Sequence, residues 1–134
     1  MAGTIVADTL QSSITGTPVQ FNDGTGTQIG TLCRAFVNFN GTTNIGGFCT
    51  IRGSFNVTSV ADNGTGDYTV NITTAMPDAN YSAACLSGRT DNTSPSQLRA
   101  IATYSQTTSA IKINTFDSAT TKVDDAYVSV SIFR

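Results

Sequence analysis

Histidine, tryptophan and glutamate are absent from this sequence, and all nine acidic residues are aspartate. Without histidine the chain lacks the commonest general base and the commonest metal ligand. Without glutamate, acid–base chemistry falls to Asp, Tyr, Cys and Lys. Charged residues make up 12% of the chain, about half the usual share of roughly 25%. The seven Lys and Arg residues are scattered, so they form no basic stripe for nucleic acid. No apolar run approaches the roughly 20 residues with which a helix crosses a bilayer. The N-terminus, Met1-Ala2-Gly3-Thr4-Ile5-Val6, has no basic segment leading into an apolar core, and Gly is not second; it reads as neither secretory nor myristoylated. These absences predict folding in a cytoplasm, with no nucleic-acid and no membrane partner.

Cysteine is sparse as well. Cys33, Cys49 and Cys85 are an odd number, widely spaced, with no CxxC pair. They read as small apolar side chains on strands. A Cys33–Cys49 disulfide is conceivable, but cytoplasmic synthesis argues against it. The expectation is no metal, no cofactor and no catalytic residue.

What the sequence does hold is Thr, Ser, Asn and Gly, which favour strands, caps and turns over helix interiors. At 134 residues the length suits one domain. Residues 1–32 differ from the rest. Their apolar residues are few, and turn signals fall at 15–18 and 22–26. Two short strands, 4–10 and 18–21, are expected there. Such a segment cannot bury a core of its own. It is expected to be an extended N-terminal arm, docking on the following domain or on another chain through Ile5, Val6, Leu10, Ile14, Val19 and Phe21.

From residue 33 the period-2 alternation becomes dense. In 33–40, Cys33, Ala35, Val37 and Phe39 share one face. A turn is expected at 40–44. In 48–61, Cys49, Ile51, Phe55 and Val57 alternate with polar residues, and the length of the run predicts a bend or bulge at Gly53. Asp62-Asn63-Gly64-Thr65-Gly66-Asp67 is the clearest hairpin signal. On the return strand Tyr68, Val70, Ile72 and Thr74 share a face. Further strands are expected at 81–87, 98–104, 110–116 and 126–133, the last with Ala126, Val128, Val130 and Ile132 inward. About seven strands with frequent turns predict an all-β fold, an antiparallel, jelly-roll-like β-sandwich over 33–134.

Three constellations carry potential chemistry. The 62–67 hairpin has a faint calcium-loop look, but two Asp and no Glu fall short of a calcium shell. Asp117, Asp124 and Asp125 lie near Lys122, yet adjacent Asp124 and Asp125 would face opposite sides of a strand; a solvated loop is expected rather than a glycosidase pair. The polar loop at 89–96 offers Arg89, Asp91 and Asn92 as ligand contacts able to hydrogen-bond sugar hydroxyls. The aromatics Phe36, Phe39, Phe48, Phe55 and Phe133 exceed the needs of one small core, so one outer face is expected to be a subunit contact.

Four segments taken together resemble a domain of tailed-bacteriophage virion structural proteins, of the tail-fibre, appendage or capsid-decoration type found in phages of marine bacteria and cyanobacteria. They are Cys33-Arg34-Ala35-Phe36-Val37-Asn38-Phe39-Asn40-Gly41-Thr42, Ile51-Arg52-Gly53-Ser54-Phe55-Asn56-Val57, Thr65-Gly66-Asp67-Tyr68-Thr69-Val70-Asn71 and Ala75-Met76-Pro77-Asp78-Ala79-Asn80-Tyr81. The opening Thr4-Ile5-Val6-Ala7-Asp8-Thr9-Leu10-Gln11 is similar to the start of such appendage proteins. The resemblance implies a non-enzymatic homotrimer on the particle surface, assembled in the host cytoplasm and in contact with other virion proteins. The chain has no long shaft, which favours a capsid decoration or cement protein, or a short appendage subunit. The alternative is a receptor-binding tail-fibre module that recognises host-surface glycan.

Overall fold

A computed structural model of the protein describes residues 20–22, 27–29, 33–88 and 99–134. Within residues 1–32 these are two short antiparallel strands, β1 (Gln20–Asn22) and β2 (Thr27–Ile29). Residues 33–134 carry β3 (Cys33–Ile45), β4 (Phe48–Phe55), β5 (Val57–Gly64), β6 (Asp67–Ile72), β7 (Ser82–Gly88), β8 (Ala100–Gln106), β9 (Ala110–Phe116) and β10 (Tyr127–Phe133). Every pairing is antiparallel, and no helix occurs among the described residues.

The eight strands form one sheet in the order β7-β10-β3-β4-β5-β6-β9-β8. Its inner face is the core. Ala35, Val37 and Phe39 of β3 meet Val60, Tyr68, Val70 and Ile72 of β5 and β6, Ile111 and Ile113 of β9, and Val128, Val130 and Ile132 of β10. Phe39 and Tyr68 pack edge-to-face at 5.2 Å. Each fully buried side chain of this size contributes about 1.5–3 kcal/mol.

The expected sandwich is corrected here to a nearly closed barrel. A sandwich separates two sheets by about 10 Å. In this chain Asn56 alone links β4 to β5, with φ of 55°, and Phe48 pairs with Ala61 at the far end of the same two strands. The two four-stranded halves therefore stay hydrogen-bonded as one sheet that curls around its core. Asn56 fastens this corner: its amide donates to Arg34 O and Thr74 O, and its Oδ1 accepts from Thr74 N. The sheet edges β7 and β8 approach each other on the opposite side. Gln106 Nε2 donates to Tyr81 O there, and the Tyr81 hydroxyl lies 3.1 Å from both Thr107 O and Ala110 O.

The hairpin at 62–67 and the inward faces of β3, β6 and β10 form as the alternation predicts. Three details differ. The reversal expected at 40–44 comes later: β3 runs to Ile45, and Gly46 and Gly47, both at positive φ, make the turn. The bend expected at Gly53 divides into two features. Asn56 turns the chain, and Arg52 is the extra residue of a bulge, because Asn38 pairs with Gly53 while Phe39 pairs with Ile51. That extra residue shifts the alternation, so Phe55 pairs with outward Phe36 and is 56% exposed rather than buried. Thr74 lies beyond the end of β6 and is exposed.

Candidate functional site

The two halves of the sheet turn chemically different outer faces to the surroundings. On β7-β10-β3-β4 the outward residues include Leu86, Tyr127, Phe36 and Phe55, all exposed. Phe36 and Phe55 stack with ring centroids 6.4 Å apart. The Arg52 guanidinium, pushed out by the bulge, sits 4.4 Å over the Tyr127 ring and donates to Ala126 O at 2.7 Å. Its exposed large side chains are mostly apolar; exposed Arg34 and the hydrogen-bonded Asn38 and Ser129 share the face, and the Arg52 cation is held by an aromatic ring.

On β5-β6-β9-β8 the outer face is polar. Asn71 donates to Ser59, the Thr58 and Thr73 hydroxyls share a hydrogen bond, and Thr69 pairs in register with exposed Lys112. One aromatic stands out on it. Tyr104 is the extra residue of another bulge, since Thr103 pairs with Ile113 and Ser105 with Lys112. Its hydroxyl donates to Asp67 Oδ1 at 2.7 Å. Asp67 lies on β6 and Tyr104 on β8, with β9 between them. The side chain therefore crosses β9, spanning two strand spacings of about 4.8 Å each. Lys122 donates to Asp67 Oδ2 at 2.8 Å and Asn63 to Oδ1 at 3.1 Å. Burial acts to raise the Asp67 pKa, but these three hydrogen bonds outweigh it and hold the carboxyl below the usual aspartate value. The same contact, with burial first, raises the Tyr104 phenol.

One end of the barrel is closed by a polar cap. Asp125 is wholly buried and pairs with Arg99 at 2.9 Å. Its backbone oxygen accepts from Gly41 N. Asp124 Oδ1 accepts from Gly66 N at 2.7 Å and lies 2.9 Å from the buried Tyr68 hydroxyl, which also approaches Gly41 O at 3.1 Å. Burial, reinforced by Asp124, raises the Tyr68 phenol. The close approach requires glycine at two positions. A Cβ on Gly41 would lie 2.5 Å from the Tyr68 hydroxyl, and one on Gly66 would lie 2.7 Å from Thr115 O. Gly66 also has φ of 63°.

The solvated loop expected here is corrected for Asp125, which is wholly buried; Asp124 stays exposed while accepting from Gly66 N and the Tyr68 hydroxyl. The rule that neighbours on a strand face opposite sides does not apply, because the segment before β10 is not a strand at that point. Asp117 stays apart from them and caps its own turn, accepting from Ala119 N and Thr121 N. Sequence reasoning missed the Tyr104–Asp67 contact and the Arg99–Asp125 pair. A signal for the cap existed in Tyr68: an inward tyrosine needs a partner for its hydroxyl.

The expected ligand contacts Arg89, Asp91 and Asn92 lie outside the described residues, as do Ile5, Val6, Leu10, Ile14 and Val19 of the arm; Phe21 falls in β1. The three cysteines are free. Among the described residues no group of three or more Cys and Asp side chains could hold a metal ion, and no helix is long and apolar enough to cross a membrane.

No protein-family model matches the chain, and no curated protein does. Among solved structures the chain is similar to the phiAB6 tailspike, crystallised with three-repeated oligosaccharides of Acinetobacter baumannii surface polysaccharide. The identity is 15% and the TM-score 0.45, over 81% of this chain and 21% of that one. The chain thus spans about a fifth of that tailspike's length.

Proposed function

We propose that the chain is a non-enzymatic module of a bacteriophage virion that assembles through its apolar outer face and turns its polar outer face to host-surface glycan. One observation carries this reading: Phe36, Phe55, Leu86 and Tyr127 are all exposed on one outer face, while the other holds a single exposed tyrosine among amides, hydroxyls and lysines. The sequence resemblance to virion proteins supports the setting, and the number three for the assembly comes from it. Residues 1–32 serve as the anchoring arm. Exposed aromatic clusters on a soluble protein mark contact surfaces.

Light scattering on the purified full-length protein is expected to give three chain masses. Phe36→Ser with Leu86→Ser is expected to give a monomer that keeps its β-type circular dichroism. A monomeric unmodified protein would overturn the assembly claim. Deleting residues 2–32 is expected to leave 33–134 folded but absent from particles; normal incorporation would refute the arm as anchor.

A second reading, a capsid decoration or cement protein, is favoured by the apolar face taken alone. It needs no glycan. Binding of the isolated protein to host cells separates the two, because the cement reading expects none.

A further inference from the structure

Charge is divided unevenly along this chain. All seven Lys and Arg residues lie at Arg34 or beyond, whereas residues 1–32 carry Asp8 and Asp23 and no cation. The seven remaining Asp match the seven cations in number, so the whole net charge of −2 belongs to the arm. The apolar outer face has the opposite balance. None of the strands β7, β10, β3 and β4 contains an acidic residue, and their only charged side chains are Arg34 and Arg52. Both are exposed, and neither makes an ion pair among the described residues. The stacked Phe36 and Phe55 lie between them: Arg34 precedes Phe36 on the same face of β3, Phe36 pairs with Phe55, Asn38 pairs with Gly53, and the Arg52 bulge follows. The face thus carries a strip of cation, aromatic pair and cation, with Tyr127 under Arg52 and Leu86 exposed further along the sheet.

Such a face does not fit a second copy of itself. A two-fold contact presents the same patch from both subunits, which would set arginine against arginine with no carboxylate on these strands between them. Like charges juxtaposed at an interface cost affinity. The face calls instead for an acidic, partly apolar partner, and the arm has both properties: Ile5, Val6 and Leu10 surround Asp8, and Phe21 precedes Asp23. We infer that the apolar outer face of one copy is covered by residues 1–32 of a neighbouring copy, with Asp8 and Asp23 matched to Arg34 and Arg52 and the apolar side chains of the arm lying on Phe36, Phe55 and Leu86. Arg52 is already oriented by the Tyr127 ring and Ala126 O, so it meets a carboxylate with little further loss of side-chain freedom. The contact is heterologous, and contacts of this kind generate rings where the rotation closes, as a trimer requires. The inference rests on the assembly through the apolar face proposed above and names what covers that face.

The test is charge inversion in the full-length protein, read by sedimentation velocity over a dilution series. Asp8→Lys with Asp23→Lys makes the arm cationic, and Arg34→Asp with Arg52→Asp makes the face acidic. Each pair of substitutions is expected to raise the concentration needed for assembly about tenfold or more. All four together restore opposite charges and are expected to recover most of the assembly. Thermal melts followed by circular dichroism check the fold of every variant. If Arg34→Asp with Arg52→Asp lowers the melting temperature, Arg34→Gln with Arg52→Gln replaces it and is expected to weaken assembly in the same direction. Assembly that withstands inversion of the arm but is lost in Phe36→Ser with Leu86→Ser would overturn this inference while leaving assembly through the apolar face standing. Inversions of arm and face with no mutual rescue would overturn the pairing between them. A monomeric unmodified protein would overturn both this inference and the assembly on which it rests.

Discussion

Arg99 and Asp125, which lie 26 positions apart in the sequence, meet at 2.9 Å with the carboxylate wholly buried and the guanidinium nearly so. The pair anchors the segment leading into β10 to the start of β8. Removing one member of a buried pair costs about 3–5 kcal/mol, because the other charge stays behind in a poor solvent. Arg99→Ala is therefore expected to lower the melting temperature by about 12 °C or more. Arg99→Lys, which keeps the charge but loses the fork, should fall between. Thermal melts followed by circular dichroism check this, and a change of a degree or two for Arg99→Ala would contradict it.

The other half of the cap makes a prediction about coupling. Tyr68→Phe keeps the ring against Phe39 and removes a proton shared by two acceptors, at a cost of about 1–3 kcal/mol. Gly41→Ala drives a methyl group toward the Tyr68 hydroxyl and Asp125 O, and overpacking of this kind costs about 1–3 kcal/mol. The double variant is expected to be less damaged than the sum of the two, because Tyr68→Phe removes the closest clash. Denaturant titration of all four proteins measures the coupling; strict additivity would mean that the hydroxyl is not what excludes a side chain at Gly41.

Acid should act through Asp67. Its pKa is lower in the folded protein than the ordinary value, which is about 3.9 in an unfolded chain. The group therefore stabilises the fold fully above that value, and the contribution is lost as pH falls through the lower folded one. Asp67 is only partly buried and its partner Lys122 is exposed, so solvent screening keeps the effect modest. Thermal melts of the protein and its Asp67→Asn variant should differ at about pH 6 and converge at about pH 2. A difference that persists unchanged in acid would assign the effect to something other than the carboxylate.

Cys49 should be inert. Burial first, then Asp62 and Asp124, push its thiol up to about 12, and only the thiolate is a good nucleophile. Iodoacetamide at about pH 8, below even the ordinary thiol pKa, is expected to leave Cys49 unmodified in the folded protein and to label all three cysteines in denaturant. Peptide mapping by mass spectrometry reads the result, and rapid labelling of native Cys49 would show that the barrel opens there.

Much of the fold was legible because alternation reports burial directly. Val128, Val130 and Ile132 lie inward on β10, and the 62–67 stretch makes a hairpin, although it turns at Thr65-Gly66 rather than at Asn63-Gly64, which end β5. The failures share one physical origin. A bulge inserts a residue without changing composition, so the alternation around Arg52 and Tyr104 misleads about Phe55 and conceals the Tyr104–Asp67 reach. The corner between β4 and β5 turns on Asn56 at positive φ, which no periodicity encodes. The cap was illegible for another reason. Arg99, Asp124, Tyr68 and Gly41 come from four separate stretches, and only the strand order brings them together. The loop residues Arg89, Asp91 and Asn92, and the arm residues other than Phe21, lie outside the described residues.

The Arg52 bulge changes what a one-codon deletion would do. In an ordinary strand, loss of a residue inverts the facing of everything after it on one side of the gap. Here Ile51 and Gly53 already occupy consecutive places opposite Phe39 and Asn38. Deleting Arg52 would leave Ser54 inward and Phe55 outward, straightening the strand while stripping the cation from Tyr127. Natural length variation at this point would be silent for the hydrophobic interior and felt only on the outer surface. This outer surface can thus lose or regain the Arg52 cation by deletion and insertion, at a place where an unbulged strand would forbid both.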